Sequence, residues 1–132
     1  MTLVATIAAA LISLGFGTAL GTDIFAYQWP AGKTGYLIIP LAGRMPSEEM
    51  GGAGIDYPGI QIQTKHASMA TAEANAEAVR LALNGITQGG YTIFTTRSHA
   101  VNVSGSDDIA AGYYRFSVDF ETISARDAGF FG

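Results

Sequence analysis

The chain has 132 residues, no cysteine and a formal net charge of −4; that is one domain's length, and it leaves no disulfide framework, thiolate zinc site or cysteine nucleophile. A pI near 4.9 speaks against a protein built to grip phosphate backbones, which takes a basic surface. Charged residues make up 14% of the chain against roughly 25% in soluble domains, so much of the surface is expected to be apolar, small or uncharged, as in an oligomer.

Met1 to Thr22 carries no charged side chain. No Lys or Arg precedes it, as a secretory signal wants, and Gly15, Gly17 and Gly21 break it well short of the about 20 apolar residues of a membrane span. It reads instead as a buried amphipathic helix from Thr2 to Leu14, closed by Gly15. Leu3, Ile7, Leu11 and Leu14 form its apolar stripe, and Thr2, Thr6, Ala9 and Ser13 a weakly polar one. After several turns, Asp23 to Tyr27 is a short strand candidate. Tyr36-Leu37-Ile38-Ile39 has the continuous apolar pattern of a strand covered on both faces, with Pro40 near its end. From Ala42 to Asp56, Gly, Pro and charge replace every periodic signal, which predicts a long exposed loop.

In "YPGIQIQTK" Ile60 and Ile62 fall on one face, and Gln61, Gln63 and Lys65 on the other, so this strand is expected to bury one side and wet the other. Ser68 or Thr71 can cap the helix that follows. Ala72, Ala76, Val79 and Leu83 line up at helical spacing opposite Glu73, Glu77 and Arg80, and Asn84-Gly85 supplies the stop. Small alanines would let this helix approach a sheet closely. Tyr91 to Thr96 reads as a strand, His99 to Val103 as an extension of the ladder, and Ser104 to Asp108 as a turn. Tyr114, Phe116, Val118 and Phe120 then alternate with Arg115, Ser117, Asp119 and Glu121, the clearest strand in the chain. The expected fold is a single α+β domain over residues 1–132: a mixed, mainly antiparallel sheet with two helices packed on one face.

Catalytic signals are thin. "GFGTALG" has the glycine density of a phosphate loop without its spacing, and it follows a helix rather than a strand. His66 and His99 do not stand at a spacing that makes a triad or a metal pair. Glu48-Glu49 and Asp107-Asp108 lack the further oxygen ligands of a calcium site. Asn102-Val103-Ser104 matches a glycosylation sequon that has no use without a secretory route. No catalytic, metal or cofactor-binding residue is assigned.

The pieces "LGTDIF", "YPGIQIQTK", Ala72 to Leu83 and "YYRFSVDFETI", in this order, resemble the tail terminator family of long-tailed bacteriophages, also labelled minor capsid or tail completion proteins. The resemblance implies a structural virion protein, made in the host cytoplasm and placed at the neck of the tail. It would form a ring, commonly sixfold, that caps the tail tube and joins it to the head connector or stopper, with DNA only as cargo and no membrane contact. Other neck components, and a monomeric ligand-binding α+β domain, remain alternatives. Long polar loops are the parts a core does not need, so Arg44, Glu48 and Glu49, together with Asp107 and Asp108, are the expected interface residues.

Overall fold

The expected N-terminal helix forms over Leu3–Ser13 (α1). It ends as an αL glycine cap should: Gly15 has φ +86°, its N–H donates to the Ile12 carbonyl at 3.0 Å, and the Phe16 N–H donates to that of Leu11 at 2.9 Å, satisfying carbonyls the helix cannot reach. The computed structural model describes residues 3–44 and 55–125. Along them follow β1 (Ile24–Ala26), β2 (Gly35–Arg44), β3 (Ile55–His66), α2 (Met69–Leu83), β4 (Thr87–Gln88), β5 (Tyr91–Thr95), β6 (Val101–Asn102), α3 (Ser106–Ala110) and β7 (Tyr114–Ala125).

The strands form one sheet in the order β1-β2-β3-β7-β5-β4, with β6 also on β7. β1 runs parallel to β2 and the remaining pairs are antiparallel, so the α+β class and the mixed, mainly antiparallel sheet are borne out. Period two sends Ile60 and Ile62 of β3, and Phe116, Val118 and Phe120 of β7, to one face. There they meet Ala72, Ala76, Val79 and Leu83, the four positions expected to face the sheet, together with Ile7 and Leu11 of α1. Each large apolar side chain buried here contributes roughly 1.5–3 kcal/mol. The alanines bring α2 close enough for the buried Thr64 hydroxyl to donate to the Ala72 carbonyl at 2.6 Å. Ser68 is the N-cap, its Oγ accepting from the Thr71 N–H at 3.3 Å.

Several expectations change. The α1 stripe is wider than Leu3, Ile7, Leu11 and Leu14: Val4, Thr6, Ala8 and Ala10 are buried too, while Leu14 is exposed. The reason is that the sheet curls and α1 touches both β2, near one end of the strand order, and β4, at the other. Thr6 lies beneath Gly89, where an added Cβ would come within 2.8 Å of its methyl. Gly89 and Gly90, both at positive φ, make the two-residue turn of a β4–β5 hairpin of the kind glycine favours. The Ser104 to Asp108 turn is instead the short helix α3, a third helix beside the two expected. The Ala42–Asp56 loop is shorter at both ends, because β2 continues to Arg44 through a register shift after Leu41 and β3 begins at Ile55.

Candidate assembly surface

The same period two that builds the core sends Gln61, Gln63 and Lys65 of β3, and Arg115, Ser117, Asp119 and Glu121 of β7, to the face without α1 and α2. That face is not simply wet: Gln63 is 8% and Ser117 5% exposed. Trp29, in the connection between β1 and β2, folds over it, its indole N–H donating to Gln63 Oε1 at 3.1 Å and its ring lying 6.0 Å from that of Phe25. Gln63 Oε1 also accepts from Arg115 Nη1 at 3.0 Å, and its amide donates to Gln61 Oε1 at 2.9 Å. Gln61 donates in turn to Asp119 Oδ1 at 3.1 Å, and Asp119 pairs with the exposed Arg97 at 3.2 Å. Such a connected network satisfies each buried polar group and fixes its direction.

Lys65 and Arg115 stand opposite each other across β3 and β7, a like-charge pairing that is unfavourable alone. Asp108 of α3 relieves it, receiving Arg115 Nε and Nη2 at 2.8 Å and the Gly105 N–H at 2.8 Å. Gly105, the helix N-cap, has no side chain to return the bond, so Asp108 is the half of a capping box that this helix has. The Lys65 ammonium sits 5.4 Å from the Trp29 ring centre and 4.8 Å from that of Tyr113, within cation–π reach of both. Toward the other end of the face a lateral row runs Leu41, Gly59, Glu121, Phe94, with Leu41 and Phe94 both exposed.

Both histidines bond to their neighbours in sequence. His66 Nδ1 accepts the Ser68 N–H at 2.9 Å and so supports the entry to α2; His99 Nδ1 meets the neighbouring Ser98 hydroxyl at 3.1 Å. Among the described residues no three His, Asp or Glu side chains are grouped to hold a metal ion. What the face offers is shape, aromatic area and charges held in place. Residues 10–125 match the family model described as bacteriophage tail terminator protein. The chain belongs to the bacteriophage tail terminator family. That is a family of structural phage tail proteins. No curated protein is similar enough to the chain to count as a match.

The residues expected at interfaces lie apart. Arg44 is the last residue of β2, opposite Tyr57, whereas Asp108 reaches Arg115, opposite Lys65, eight residues further along β3, or about 26 Å in an extended strand. Asp107 is exposed on α3, while the carboxylate of its neighbour Asp108 is taken by Arg115 and Gly105. Glu48 and Glu49 lie outside the described residues. Gln63, Lys65 and Arg115, which organise the face opposite α1 and α2, can be placed on the polar sides of β3 and β7 from their alternation; Trp29 carries no such signal. Among the described residues no helix is long and apolar enough to cross a membrane.

Among the described residues three carboxylates are held below their ordinary values. Glu77 accepts the Ala100 N–H above all, then the Arg80 guanidinium at 3.0 Å, tying α2 to the approach of β6. Asp23 accepts the Thr18 N–H at 2.9 Å and that of Ala19. At Asp108 burial opposes ionisation, but the Gly105 N–H, Arg115 and Lys65 together outweigh it. The folded values lie below the ordinary 4.5 of the glutamate and 3.8 of the aspartates. Each group therefore contributes stability that is complete above those values and is lost as pH falls through the lower folded ones. These groups are expected to leave the thermal midpoint level from neutral pH to about pH 5 and to lower it below that; a midpoint that rises on acidification through this window contradicts the assignment.

Proposed function

We propose that this chain is a single-domain structural subunit that assembles with copies of itself into a ring, sixfold as the resemblance implies. The ring caps the tail tube, ends its elongation and joins the tail to the head connector or stopper. The family match over residues 10–125 carries this reading. It is supported by the molecule's two unlike faces, one built of α1 and α2 and the other of the Trp29, Gln63 and Arg115 network, since a ring subunit must present two different surfaces that meet head to tail. The subunit works by shape and contact and makes or breaks no covalent bond. A net charge of −4 suits a channel that DNA crosses as cargo, because negative walls do not hold phosphate. The particle forms from subunits made in the host cytoplasm, and no membrane takes part.

Negative-stain microscopy of the purified chain is the direct check. Rings with an open centre are expected. A uniform monomer that binds a small molecule favours a ligand-binding domain instead.

A further inference from the structure

A cation with its donors unused is uncommon in so acidic a chain, and Lys65 is one. Two rings hold its ammonium in place, yet among the described residues no carboxylate or carbonyl takes its protons. Its cross-strand neighbour Arg115 is, by contrast, fully engaged by Asp108 and Gln63. Carboxylates on the same face are also committed: Asp119 belongs to Arg97 and Gln61.

The opposite face holds the complement. Glu73 is exposed on α2 and has no ion partner among the described residues, unlike Glu77, which Arg80 occupies. Met69, four residues earlier and so on the same side of the helix, is 50% exposed. Lys65 is the next-to-last residue of β3, and α2 begins three residues after β3 ends. Because α2 turns straight back along the sheet, Glu73, about 6 Å from the start of that helix, lies at nearly the same level as Lys65, on the other side of the sheet. A rotation about an axis parallel to the strands, with no shift along it, would carry one patch onto the other. Closure of a ring requires that relation between unlike surfaces. Asp107 does not satisfy it, because α3 sits on Lys65's own side.

We propose that Lys65, clamped by Trp29 and Tyr113, receives the Glu73 carboxylate of a second copy of this chain, with that copy's Met69 against the two rings. The pairing rests on the ring reading and gives it a head-to-tail contact. Cation and carboxylate provide direction, and the thioether and rings provide area, since methionine sulfur packs favourably at aromatic edges.

The test measures the oligomeric mass of the full chain against protein concentration, by light scattering at low salt, for wild type, Lys65→Glu, Glu73→Lys and the double variant. Circular dichroism establishes that each is folded; Glu73→Lys changes an exposed helical position, so it remains informative if Lys65→Glu misfolds. Each single reversal is expected to raise the concentration for half-assembly by about tenfold, because it sets like charges against each other. The double variant, which exchanges the two charges, is expected to recover most of that loss. If wild type and both single variants assemble alike, or the double variant recovers nothing, the pairing is wrong while the ring stands. If Lys65→Glu leaves assembly intact and weakens only tube or connector attachment, the Lys65 face meets a different partner and the pairing is likewise wrong. A wild-type chain that stays monomeric throughout overturns the ring and the pairing together.

Discussion

Replacing Gly35 with alanine is expected to cost about 3 kcal/mol of stability, from a left-handed backbone that a Cβ strains and from overpacking, and to lower the thermal midpoint by about 10 °C. Gly35 opens β2 at φ +127°, and a Cβ there would stand 2.2 Å from the Asp23 carbonyl oxygen and 3.3 Å from its Cα. Those are backbone atoms and cannot swing aside as a side chain would. The same carbonyl accepts the Tyr36 N–H at 2.9 Å, so relieving the clash breaks the first bond between β1 and β2. It also displaces Asp23, whose carboxylate gathers Thr18 and Ala19, and Ile24, which is fully buried in the core. Gly90→Ala is the control. Its φ is +83° but nothing lies within 4 Å of the added Cβ, leaving only the left-handed penalty of about 1 kcal/mol. Denaturant unfolding of the two variants decides the matter: equal losses contradict the close approach of β1 to Gly35.

The features readable in the sequence are those with a local cause. Helix α2 announces itself through Ser68, through Ala72, Ala76, Val79 and Leu83, and through Asn84-Gly85, because capping and helical spacing act within a few residues. The inward side of β7 is equally plain in Phe116, Val118 and Phe120. The features that escaped depend on distant partners. Thr6 looks like a surface residue until the curled sheet brings Gly89 over it, and helix α3 depends on Asp108 finding Arg115. The need for glycine at Gly35 lies in the Asp23 carbonyl, twelve positions earlier in the chain. The candidate site divides the same way. Alternation places Gln63, Lys65 and Arg115 together, but it gives no hint that Trp29 would close over them and turn an expected wet face into a connected network. Arg44 and Asp107 stand out in the sequence because polar loops are dispensable to a core. Polarity marks a surface but not its neighbours, and these two lie toward opposite ends of β3.

The largest effect is expected in the particle rather than in the isolated chain. A tube built by head-to-tail stacking keeps an identical growing end after every addition, so it has no length at which the geometry itself stops. A cap that binds the end more tightly than another tube subunit removes that growing end, and in the proposed reading its far side meets the head connector. Electron microscopy of particles assembled without this chain measures both roles at once. Tails of uneven and excessive length beside heads that carry none are the expected outcome. Tails of normal length joined to heads would contradict the assignment of tube capping and head joining to this protein.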